Sequence, residues 1–120
     1  MGGVLVVEND IFVQKTVRRV LALHKVPVET TDDPEDGLKK ISIVKPKVIL
    51  MGIFLSKMNG FELLKKLKED EETKNIPVIA LINFSEEELV KKAKDLGAVD
   101  CLVKSEFTPD EIVDKVKPYL

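Results

Sequence analysis

Val48-Ile49-Leu50-Met51-Gly52-Ile53-Phe54-Leu55-Ser56-Lys57-Met58-Asn59-Gly60-Phe61 is the stretch that decides the fold. Val48 to Met51 is a short, continuous apolar run and reads as a strand buried on both faces. The connection ends at Asn59-Gly60, and an amphipathic helix starts near Phe61 with Leu64 and Leu67 on one stripe. A buried strand leading into a helix is the repeating unit of parallel α/β sheets. It places Gly52 at the carboxyl end of a strand, where open sheets of this kind build their sites.

The same unit recurs outward in both directions. Further short apolar runs span Val4 to Val7, Val26 to Thr30, Val78 to Leu81 and Val99 to Val103. Five helical patterns alternate with the strands, which predicts a doubly wound parallel sheet with helices on both faces. Asp33-Pro34-Glu35-Asp36, Ser85-Glu86-Glu87-Glu88 and Thr108-Pro109-Asp110-Glu111 each place a capping side chain first and an acid three residues on. Val13, Val17, Val20 and Leu21 line one stripe of the first helix, and Leu89, Ala93 and Leu96 one stripe of the fourth. Phe12 and Leu23 fall off the first stripe. Gly97 reads as a left-handed helix end. No domain boundary, repeat or low-complexity tract interrupts the pattern, so residues 1–120 read as a single domain.

Composition narrows the function. Hydrophobic residues make up 44% and charged residues 33% of the 120, as in an ordinary globular protein. Nineteen Lys and Arg against 21 Asp and Glu leave a net charge of −2, which argues against a nucleic-acid footprint. The single Cys101 excludes an intrachain disulfide, and with the lone His24 it excludes a Cys/His zinc cluster. No apolar stretch approaches the roughly 18 residues of a membrane span, and a reducing cytoplasm is expected. His24 is expected to pack its ring at the sheet border near the end of the first helix. Lys91, Lys92 and Lys94, below Glu86, Glu87 and Glu88, read as a solvated face with (i, i+4) ion pairs.

Chemistry concentrates at the strand ends. Glu8-Asn9-Asp10 follows the first strand, Ile82-Asn83 the fourth, and Lys104 the fifth, so these edges should converge beside Gly52. In order and spacing, this chain from Val4 to Leu120 resembles the receiver domains of response regulators, the signalling modules of bacterial two-component systems. The resemblance implies a flavodoxin-like (βα)5 fold with strand order 2-1-3-4-5. It places Glu8 and Asn9 where that family has its pair of metal-binding acids, and Gly52 where it has the phosphorylated aspartate. Lys104 stands for the lysine that contacts the phosphoryl group, Ile82 for the hydroxyl residue that bonds a phosphoryl oxygen, and Cys101 for the aromatic residue that rotates on activation. Of these six positions, Glu8 and Lys104 keep the family's chemistry.

Phosphoryl transfer needs an in-line nucleophile, a cation to neutralise developing charge, and donors aimed at the equatorial oxygens. Glycine supplies no nucleophile and isoleucine no donor. A metal site would be left with Glu8, Asp10 and backbone carbonyls, Phe54 among them, so no cofactor is expected and magnesium affinity should be weak or absent. The expectation is therefore not an enzyme but a pseudo-receiver of one dominant conformation. It would act by protein contact through the face of the fourth helix, fifth strand and fifth helix, as the resemblance implies. Two alternatives stay open: a receiver phosphorylated at Asp10 or Ser56, and a parent receiver carrying an introduced Asp-to-Gly change at Gly52. A flavodoxin-type phosphate cradle is disfavoured by Glu8-Asn9-Asp10 in the first turn. The family often has a cis-proline peptide after the lysine; Ser105-Glu106-Phe107 stands there instead, and trans bonds are expected. The chain ends with its last helix at Leu120, leaving open whether it is complete or part of a longer protein.

Overall fold

Alternation of side chains along each strand divides the apolar residues between two cores. The computed structural model describes residues 2–55 and 59–120. Its elements are β1 (Val4–Val7), α1 (Ile11–Leu23), β2 (Val28–Thr31), α2 (Pro34–Val44), β3 (Val48–Gly52), α3 (Gly60–Glu69), β4 (Val78–Ile82), α4 (Glu87–Asp95), β5 (Asp100–Val103) and α5 (Pro109–Val116). The five strands are parallel and ordered β2-β1-β3-β4-β5, as the resemblance implied.

Leu5, Val7, Ile49, Met51, Val78, Ala80 and Ile82 pack against Ile41 of α2, Leu63, Leu64 and Leu67 of α3, and Ala93 of α4. The residues between them, Val4, Val6, Val48, Leu50, Ile79, Leu81 and Leu102, pack against Val13, Val17 and Leu21 of α1 and Ile112, Val113 and Val116 of α5. Two-residue periodicity thus sends α2, α3 and α4 to one face and α1 and α5 to the other. Each fully buried Leu, Ile or Met contributes about 1.5–3 kcal/mol.

The helix starts are set locally. Asp33 accepts from Glu35 N at 3.0 Å ahead of Pro34. Thr108 and Glu111 form the reciprocal capping box. Ser85 does not cap: a turn from Glu86 N to Phe84 O at 3.0 Å delays the helix, leaving Glu86 as N-cap without a side-chain bond. β2 begins two residues later than expected, because Val26 N closes the turn on Leu21 O and the ladder starts with Val4 N on Pro27 O. His24 caps the end of α1 and is exposed instead of packing at the sheet border. Lys92 lies over the Phe61 ring at 4.6 Å. Among the described residues, no ion pair joins the Glu86–Glu88 run to the Lys91–Lys94 cluster. Gly97 has φ +108°, and the bonds of Ser105-Glu106-Phe107 are trans.

Candidate functional site

Register brings the carboxyl ends together. β1 and β3 pair Val7 with Met51, so Glu8 and Gly52 occupy the next step, and Glu8 N extends the ladder to Thr31 O at 2.9 Å. Glu8 and Gly52 share the parity of Val6 and Leu50, so both belong to the face covered by α1 and α5. Ile82 pairs with Val103, and Lys104 follows immediately.

Glu8 is the centre of the arrangement, with a side chain of 0% exposure. Its Oε1 accepts from Lys104 Nζ at 2.9 Å and from Asp10 N at 3.1 Å. Its backbone carbonyl accepts from Gln14 Nε2. Oε2 is buried and, among the described residues, has no hydrogen-bond partner. A Cβ placed on Gly52 would lie 2.8 Å from Glu8 Cδ and 3.0 Å from Oε1, with Oε2 nearer still. The Glu8 carboxylate therefore lies in the space that a side chain at position 52 would enter. Real Cβ atoms do not approach so closely, so any residue but glycine forces a shift.

Asp10 belongs to the same group. Its Oδ2 is 3.8 Å from Lys104 Nζ, while its Oδ1 caps α1 by accepting from Val13 N at 3.3 Å. A cleft of about 290 Å³ beside Lys104 is bordered by Asp10, Phe12, Asn83 and Phe107. Phe54 and Phe84 are exposed, and their rings meet edge to face at 6.2 Å.

The other sequence-derived positions lie apart from this cluster. Asn9 is exposed. Ile82 is fully buried in the core beneath α2, α3 and α4. Cys101 is half-buried against that same core, and its thiol is pushed above the usual range by burial first, then by Asp100, with Lys94 opposing. Ser56 lies outside the described residues. Among the described residues, no three His, Cys, Asp or Glu side chains gather as metal ligands. A larger cleft, about 790 Å³, lies between α2 and the α3–β4 connection, bordered by Leu38, Ile41 and Ile76, away from these groups. Sequence reasoning missed Gln14 and the Phe54–Phe84 contact; the spacing of Gln14 from Glu8 on the first turn of α1 was the available signal for the former.

A doubly wound sheet with one buried acid, one lysine and a glycine at its central carboxyl edge defines a flavodoxin-like domain. Residues 4–117 match the model of the response regulator receiver domain, and the chain belongs to that family of two-component signalling domains. It is 38% identical over 104 residues to the chemotaxis protein CheY of Treponema pallidum, covering 84% of this chain and 71% of that protein. It is 30% identical over 120 residues to the CpxR homolog of Haemophilus influenzae, a transcriptional regulatory protein of which it spans about half, 51%. Among solved structures, the chemotaxis protein CheY4 of Vibrio cholerae superposes with a TM-score of 0.89 at 28% identity, covering 100% of this chain and 99% of that one.

Proposed function

We propose that this receiver domain signals by protein contact without forming an aspartyl phosphate. The observation that carries the reading is Gly52 at the end of β3 with the Glu8 carboxylate packed into the space above it. No nucleophile stands at the strand end, and Glu8 obstructs the approach a phosphodonor would need. Ile82, buried in the core, offers no donor to an oxyanion.

The residues present do not fit the divalent cation that the family's acidic pair implies. Glu8 is enclosed and already neutralised by Lys104, Asn9 is neutral, and Asp10 spends one oxygen on its helix cap. A hard cation needs several anionic oxygens free to converge, and this set supplies too few. The domain is accordingly a cofactor-free, non-enzymatic module of the cytoplasm, with one dominant conformation.

Its contact surface is the face of α4, β5 and α5, where Lys91, Lys94 and the exposed Val99 are available to a protein partner. A net charge of −2 gives no basic stripe for nucleic acid, and among the described residues no helix is long and apolar enough to cross a membrane.

Of the two alternative acceptors, Asp10 lies among the described residues and has a cation nearby, at 3.8 Å from Lys104. Its position off the strand and its capping bond hold it away from in-line geometry. Intact mass measured after incubation with acetyl phosphate and magnesium tests the reading. No added phosphoryl group is expected, and a stoichiometric mass gain that disappears in Asp10→Asn would overturn it in favour of Asp10.

A further inference from the structure

The volume above Gly52 contains an acidic group supplied by the chain itself. Lys104 is 13% exposed and reaches across the sheet edge to a carboxylate just after β1, 96 residues away in sequence. Among the described residues Oε2 is enclosed without a hydrogen-bond partner, and the Glu8 carboxylate occupies the space that a Cβ at position 52 would take. Leaving a carboxylate oxygen unpaired is costly, so the pose is held by what Oε1 gains from Lys104 and Asp10 N.

We propose that this volume is an anion seat of Lys104, which the chain fills permanently with its own Glu8 carboxylate. Gly52 and Glu8 are then one device: the glycine opens the seat and the glutamate occupies it from within. The inference rests on reading Gly52 and Lys104 as the relic of an acceptor site. It goes further in making Lys104 internally ligated and closed to outside anions. The ligand class is a small carboxylate, because the atoms of Glu8 beyond its Cβ are those of acetate. With the seat filled, the turn Lys104–Glu106, which leads into α5, is tied to β1 in every molecule.

The test removes the internal ligand and returns it from solution. Glu8→Ala, titrated with sodium acetate, should show a saturable rise in melting midpoint and amide shifts confined to Asp10, Gly52 and Lys104. A Kd on the order of 1–10 mM is expected for so small a ligand. Sodium chloride at equal ionic strength should not reproduce this, the parent should show no saturable response, and Lys104→Met combined with Glu8→Ala should abolish it. Should Glu8→Ala be unfolded alone, folding on addition of acetate is the expected result. Gly52→Ala supplies a second readout: at least a tenfold fall in the folding equilibrium constant in the parent, and under twofold in the shorter-armed Glu8→Asp background.

An acetate response that survives Lys104→Met, or an equal cost of Gly52→Ala in both backgrounds, would overturn the seat. Neither result bears on whether acetyl phosphate modifies the parent. Conversely, a phosphorylated parent would sink the functional reading while leaving the acetate titration to be judged on its own.

Discussion

Replacing Lys104 by methionine removes the cation that, among the described residues, faces the enclosed Glu8 carboxylate. The pair is 2.9 Å apart with side chains 13% and 0% exposed, so solvent cannot take over the lost interaction. Breaking such a pair from one side costs about 3–5 kcal/mol, because it leaves a charge stranded in the interior. The second contact, to Asp10 at 3.8 Å, is partly exposed and adds little. At roughly 4 °C per kcal/mol for a domain of this size, the melting midpoint should fall by about 10–20 °C. Replacing the partner as well, in Glu8→Leu combined with Lys104→Met, converts the pair to apolar packing and should recover at least half of the loss. Urea denaturation of the four proteins in this cycle, with unchanged m-values, measures the coupling directly. A loss below about 1 kcal/mol for Lys104→Met would place the pair with ordinary surface ion pairs and refute the account of the site.

Three further outcomes follow from single features. Gly60→Ala would set a Cβ 2.5 Å from Gly52 O and 2.6 Å from Ile53 Cα, both backbone atoms that cannot swing away; chemical denaturation should show a loss of about 1–3 kcal/mol or more. Thr108→Ala removes the capping bond to Glu111 N at 3.2 Å and should cost about 1 kcal/mol, with Thr108→Ser restoring most of it. Cys101, its thiol raised above the usual range by burial and by Asp100, should react with iodoacetamide with a higher pH midpoint in the folded protein than in urea. The sign for stability follows: the folded state holds the thiol's proton more tightly than the unfolded chain. That contribution is complete below the pKa of the unfolded thiol and is lost as pH rises through the raised value. Coincident midpoints in the two states would contradict the burial of Cys101.

Much of the architecture is local information. The buried strands are legible because four or five consecutive apolar residues fit a sheet covered on both faces, and the stripe of α1 because Val13, Val17 and Leu21 recur at helical spacing. The Asp33 and Thr108 caps are legible because the bonding side chain and the backbone it bonds lie within three residues. Ser85 has the same signature and fails, because the short turn at Phe84 moved the helix start by one residue. Such boundaries are set by how the preceding loop leaves the sheet, which composition does not encode.

The sequence by itself determined the strand-helix alternation and the absence of a nucleophile at Gly52, since both are properties of residue type and spacing. Tertiary structure alone decided what became of the site. Whether Glu8 faced solvent, a cation or Lys104 depended on strand order and register, which bring residues 8, 52 and 104 to the same carboxyl edge of the sheet. Burial then made the choice final: in a closed interior the carboxylate takes a nearby cation, Lys104, and the space left open above Gly52.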